Sequence, residues 1–182
     1  ADLQDCLINR LLKEEAKTLL IHRLDRDTSG ILVFGLSKWG QKSISRQFQE
    51  RQTDKTYQAI VIGHLEGEGT IDMPVVYDPS RPPLHMADAT HPKPAQTHWQ
   101  ATEHFDIAGQ AVTRVSLAPI TGRSHQLRVH MQYLGHPIVG DTLYADEAHQ
   151  QLTTRLCLHA ERLSFQHPKT EEQVTFYCPA PF

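Results

Sequence analysis

Ile21-His22-Arg23-Leu24-Asp25-Arg26-Asp27-Thr28-Ser29-Gly30 is the stretch on which the reading of this chain turns. It crowds five ionisable groups into one short loop. On either side lie apolar runs, Thr18 to His22 and Ile31 to Leu36, that read as strands. Loops held between rigid strands are common places for sites. On chemistry alone two readings stand. The loop is a turn whose Asp and Thr cap backbone groups, or a site in which a carboxylate serves as nucleophile, base or metal ligand.

Outward from the loop, Leu3, Leu7, Leu11 and Leu12 fall at helical spacing and predict an amphipathic helix over 3–16. Ser37 is a good N-cap for a helix running to about Gln52, with Ile44 and Phe48 on one face. Thr56 to Gly63 alternates as a strand does. Glu66 to Gly69 is a turn, and Thr70 to Tyr77 a further strand. Residues 78–94 carry Pro79, Pro82, Pro83, Pro92 and Pro94, which predicts a loop or excursion rather than a linker, since strand-like sequence resumes at once. Ala95 to Phe105 and Val112 to Pro119 flank Ala108-Gly109 as a hairpin. Ser124 to Leu134 reads as a helix between Gly122 and Gly135, and Leu156 to Phe165 and Gln173 to Cys178 close as strands. The pattern is α+β: a mixed, mainly antiparallel sheet with flanking helices.

A length of 182 residues suits one domain with a core of its own. The sequence contains no apolar run long enough for a membrane helix and no basic-then-apolar leader, so no membrane partner is expected. Cys6, Cys157 and Cys178 are odd in number and widely spaced, matching neither a disulfide framework nor a metal knuckle, and a reducing cytoplasm is the simplest setting. The chain opens on Ala1 rather than Met, which points to a processed or excised piece. A net charge of −3 does not advertise a nucleic-acid binder, but Lys38, Lys42, Arg46, Arg51 and Lys55 make residues 38–55 locally basic. The plain reading of such a run is a solvated helix face.

Two further segments can carry chemistry. Lys55-Thr56-Tyr57 opens a strand, and a tyrosine there offers a ring to stack on a base and a hydroxyl to pass a proton; the plain alternative is a half-buried strand tyrosine. Thr121-Gly122-Arg123-Ser124-His125-Gln126-Leu127-Arg128-Val129-His130 places Arg123 at a helix start, where a guanidinium can grip a carboxylate or phosphate. His125 and His130 are five apart with no third ligand nearby, so satisfied structural histidines are expected and no metal.

Together these segments resemble the RluA branch of the pseudouridine synthases. His22-Arg23-Leu24-Asp25 followed by Thr28-Ser29-Gly30 is similar to that family's most specific signature. Lys55-Thr56-Tyr57 and Gly122 to Arg128 look like its second and third motifs, and Gly135 to Asp141 and Leu156 to Ala160 also match in order. The resemblance runs from about residue 20 to the C-terminus. It implies the pseudouridine synthase catalytic fold over residues 1–182, and an isomerase that needs no cofactor and no metal. Arg46 to Arg51 and Lys93 to Thr97 look like the member that modifies both 23S ribosomal RNA and the anticodon stem-loop of certain tRNAs. The Asn-Lys-Pro-x-Gly strand that usually precedes the signature has no counterpart, so the domain is expected to lack its N-terminal strand segment.

By that resemblance Asp25 is the catalytic carboxylate, acting either at ribose C1′ or on the C2′ proton. Arg123 is its ion-pair partner, and Tyr57 stacks on the target uracil and assists proton removal from C5. Arg23, Lys55 and Arg128 are expected to bind RNA, with Arg23 filling the gap left by the flipped base. A monomer is expected. Two rivals compete: a binding-only module of the same fold, which has no need of the Asp25, Tyr57 and Arg123 trio, and a hydrolase using Asp25, which a metal chelator would expose.

Overall fold

The computed structural model describes residues 5–182, and the part of the predicted first helix that includes Leu3 lies outside them. Helix α1 (Leu7–Glu14) leads to two short strands, β1 (Leu19–Leu20) and β2 (Ser29–Gly30), and then β3 (Phe34–Gly35). The apolar runs beside the signature loop pair only briefly, Leu19 with Gly35 and Leu20 with Phe34. Helix α2 (Lys38–Gln49) starts where its cap predicts, with the Ser37 hydroxyl accepting the Gly40 N–H at 3.1 Å.

The remaining strands are β4 (Asp54–Ile62), β5 (Glu68–Asp72), β6 (Val75–Tyr77), β7 (His85–Ala87), β8 (Gln96–Ile107), β9 (Gln110–Pro119), β10 (Leu158–Gln166) and β11 (Gln173–Tyr177). Helices α3 (Gln126–Tyr133) and α4 (Glu147–Gln150) separate β9 from β10. The main sheet runs β11-β10-β4-β9-β8-β5, antiparallel throughout, with β2 added in parallel to β10. The mixed, mainly antiparallel α+β class read from the pattern is the class observed. Ala108 and Gly109 turn the β8–β9 hairpin with left-handed φ values of 51° and 83°.

Two readings of element boundaries needed adjustment. The single strand expected over 70–77 is broken at Met73-Pro74: β5 stays in the main sheet, while β6 leaves it to pair with β7. The proline-rich stretch is therefore an excursion that returns a strand of its own. Helix α3 begins two residues later than the Gly122 signal suggests, because His125 sits in the left-handed region at φ 55°.

Burial explains how the sheet carries a site. Ala59, Val61, Val115, Leu117, Leu127, Met131, Ile138 and Leu158 form the main core between sheet and α3. A second cluster lies under α2, where Ile44, Leu163 and Phe165 gather Ile21, Ile31, Val33 and Phe48. The apolar residues flanking the signature loop are thus anchored, while the loop between them stays accessible. A third cluster, Val75, Ala95, Val129 and Tyr144, fastens the β6–β7 excursion to α3.

Candidate active site

A cavity of about 600 Å³ opens between the signature loop, the C-terminal half of α2, the start of β4 and the loop after β9. Asp25, Tyr57 and Arg123 all line it, as do Arg23 and Lys55. Leu24, Phe48, Ile120, Leu127 and Leu158 supply apolar wall. Among the lining residues four cations, Arg23, Arg51, Lys55 and Arg123, face one carboxylate, Asp25.

Several local devices hold Asp25 in place. The Thr28 N–H donates to the Asp25 carbonyl at 3.0 Å, closing the turn. His22 Nε2 accepts the Val33 N–H at 3.1 Å, so its single proton is on Nδ1, and the ring stacks on Phe48 with centroids 4.5 Å apart. Burial, assisted by the Lys55 charge, pulls His22 down to about 4, which keeps it neutral and structural. On the exit side, Ser29 and Gly30 run alongside His159 and Ala160. His159 Nε2 donates to the Cys178 carbonyl at 2.9 Å, so its Nδ1 accepts from the Ser29 hydroxyl at 2.8 Å. Arg155 donates to the same Ser29 oxygen. Gly30 is required by this close pass: at φ 114°, a Cβ would stand 2.3 Å from the Ala160 carbonyl oxygen.

Tyr57 comes from β4, opposite Ala160 on one neighbour and Leu117 on the other. Lys55, two residues earlier, shares its face. Burial raises the Tyr57 hydroxyl to about 12, with the Asp25 charge adding to the shift. Burial also lowers Lys55 from its ordinary value, and its ammonium lies 5.9 Å from the Phe48 ring centroid.

Arg123 reaches the cavity from the loop after β9, and a buried glutamine fixes that loop. Gln126 Oε1 accepts the Thr121 hydroxyl at 2.6 Å and the Arg123 N–H at 3.0 Å. Its Nε2 donates to the Gln96 carbonyl and the Thr97 hydroxyl, so every hydrogen-bonding position of the amide is used. Sequence reasoning passed over this residue because a glutamine inside a helix looks like surface.

Two expected roles are corrected. Arg123 does not form an ion pair with Asp25; its Nε donates to the Pro94 carbonyl at 3.2 Å. The Asp25 carboxylate makes no side-chain hydrogen bond or ion pair among the described residues, although its charge is felt at Tyr57, His125 and Arg128. Arg128, expected to bind RNA, is only 2% exposed, and its guanidinium grips Asp141 with two bonds of 2.8 and 2.5 Å. No surface is left for a phosphate to meet. Arg128 supports the site from beneath.

The paired histidines are also accounted for. His125 Nδ1 lies 2.6 Å from the Tyr144 hydroxyl, which also accepts the His85 backbone N–H. His130 is fully buried between Thr97 and the Met73 carbonyl. The described residues hold no cluster of His, Cys, Asp and Glu suited to a metal ion.

The RNA pseudouridylate synthase family profile matches residues 2–133. The chain belongs to the RNA pseudouridine synthase family. It is 46% identical over 162 residues to the dual-specificity RNA pseudouridine synthase RluA of Pasteurella multocida, covering 88% of this chain and 73% of that one. Against the protein of the same name from Escherichia coli it is 43% identical over 181 residues, covering 98% and 81%. Among solved structures, human RNA pseudouridylate synthase domain containing 1 superposes with a TM-score of 0.85 at 35% identity, covering 96% of this chain and 74% of that chain. This pseudouridine synthase is therefore an isomerase acting on uridine in RNA, as its signature loop implied. No helix among its described residues is long and apolar enough to cross a membrane.

Proposed function

We propose that Asp25, Tyr57 and Arg123 are the catalytic set of this synthase, in a catalytic domain that residues 1–182 make up. The observation that carries the reading is the open carboxylate of Asp25, half-buried in a cavity whose other charged groups are cations. Isomerisation breaks the bond between ribose C1′ and uracil N1, turns the base, and joins C1′ to C5, which then loses its proton while N1 gains one. No atom is added and no electron leaves. The chemistry needs a carboxylate at the sugar and walls that retain the freed uracil, and Asp25 with Leu24, Ile120 and Leu127 supplies both. Tyr57 stacks on the uracil as a neutral phenol.

A uridine inside folded RNA must leave its stack to enter the cavity, at a cost of a few kcal/mol. Arg23, exposed on the cavity rim beside Asp25, fills the vacated position in this account. Arg123 holds the sugar–phosphate backbone rather than Asp25, since its remaining donors are unengaged. Lys55 lies deeper and reads the flanking phosphate. The substrates proposed are 23S ribosomal RNA and the anticodon stem-loop of tRNA, following the resemblance carried by residues 46–51 and 93–97, with the protein acting as a monomer in the cytoplasm. Mapping pseudouridine in cellular RNA with the gene intact and with Asp25→Ala tests this. Loss at defined uridines names the targets, and an unchanged map refutes the catalytic assignment.

A further inference from the structure

Arg51 occupies a position at which arginine is a costly choice. It follows the last turn of α2 with φ 59°, in the left-handed region. Two hydrogen bonds close the helix around it: the Gln52 N–H donates to the Gln47 carbonyl at 2.8 Å and the Arg51 N–H to the Phe48 carbonyl at 3.4 Å. This paired arrangement ends many helices, and glycine is the residue it favours, because any Cβ is strained there. Positive φ alone says little, since Ala108 and Glu171 adopt it in turns. Arg51 differs in that it lines the Asp25 cavity.

Among the described residues nothing accounts for that side chain. Arg51 makes no ion pair among the described residues, and the neighbouring Glu50 is held by Arg46 at 2.7 Å. A cation near a helix C-terminus gains from the dipole, but Arg46 in the last turn already collects that gain without a left-handed backbone. Three further cations, Arg23, Lys55 and Arg123, share the cavity, and four positive groups around one carboxylate repel one another unless an anion joins them.

We propose that Arg51 is a phosphate-binding residue for the RNA strand entering the Asp25 cavity, placed at its mouth by the left-handed end of α2. The inference rests on RNA being the ligand of that cavity. Backbone strain tolerated at such a position is what function exacts when a side chain must point one way.

The test uses bulk tRNA and transcribed 23S ribosomal RNA, carrying tritium at uracil C5, for both binding and tritium release. Arg51→Gly relieves the left-handed strain and removes the charge. It should raise Tm by about 2–4 °C, weaken RNA binding roughly tenfold, and reduce the slope of log affinity against log salt by about 0.7 to 0.9. Arg51→Lys should keep the slope. Arg51→Gln retains the strain without the charge, so it must lose the same slope even if the glycine variant folds poorly. Wild-type affinity and slope in both uncharged variants would overturn the proposal and leave Arg51 as a helix end. Absence of tritium release from the unaltered protein would instead defeat the activity assigned to Asp25, while the slopes still decide Arg51.

Discussion

Tyr57 keeps its hydroxyl proton throughout the physiological range, because burial and the Asp25 charge both disfavour the phenolate and push the group to about 12. It can therefore offer the uracil a ring and an O–H, but not an anionic base. Tyr57→Phe keeps the ring; RNA affinity should stay within about threefold, while turnover falls about a hundredfold or more, the usual worth of a positioned proton-transfer group. Equal losses of binding and turnover would assign the residue to binding alone. Arg123→Ala should lower turnover yet shift Tm little, since the side chain gives up one bond to Pro94 on a part-exposed surface, worth about 1 kcal/mol. The ion pair expected from the sequence would have made that variant unstable as well, so its melting point separates the two accounts. His22 contributes to the pH dependence alongside His125 and His130, which burial also lowers. The folded value of His22, about 4, lies below the unfolded 6.5. The stability it contributes is complete above the unfolded value and is lost as pH falls from there toward 4. After allowance for partial exposure the loss is on the order of 2 kcal/mol. Denaturant titrations of wild type and His22→Gln across that window check it: the variant should show the flatter acid limb.

At the scale of elements, the signature loop is a bridge between two anchored ends, and its exit depends on β2 passing within reach of β10. Gly30→Ala would drive a Cβ into the Ala160 carbonyl and should abolish both the pairing and activity. Loss of the buried Asp141 has a different signature. Asp141→Asn leaves Arg128 buried with an uncompensated charge, an arrangement that costs about 3–5 kcal/mol, and should be detected as a large drop in Tm. How legible these elements were depended on the range of the interactions that make them. Ser37 as a cap, the Ala108-Gly109 turn and the existence of β4 are local, and each was readable; the alternation expected of β4 was not found, because it lies between β10 and β9 with Ala59 to Ile62 all buried. The β6–β7 pair was not, because its strands face each other only after the proline-rich chain has doubled back. Arg128 was misread for the same reason: its partner Asp141 lies thirteen residues on, in a turn that no helical spacing announces. Asp25, Tyr57 and Arg123 come from three separate segments, and nothing short of the fold, or a family signature, says they share one cavity.

For the whole molecule, the net charge of −3 turns out to hide a local excess of the opposite sign. Arg23, Arg51, Lys55 and Arg123 concentrate at the cavity that holds Asp25, so RNA can be drawn to one face of an overall acidic protein. If Arg51, Lys55 and Arg123 meet phosphates while Arg23 fills the place of the flipped base, log affinity should fall against log salt with a slope of about 2–3, equivalent to roughly 20–40-fold between 50 and 200 mM salt. A shallow slope would mean that the RNA is held by stacking and shape rather than by this patch. Asp25, with its open carboxylate, is the group proposed to perform the isomerisation. Replacing it with its uncharged isostere, Asp25→Asn, and measuring tritium release from RNA labelled at uracil C5 addresses that role most directly. Asp25→Asn should show an unchanged melting point, retained RNA binding and no release above background; release at the wild-type rate would overturn the role given to Asp25.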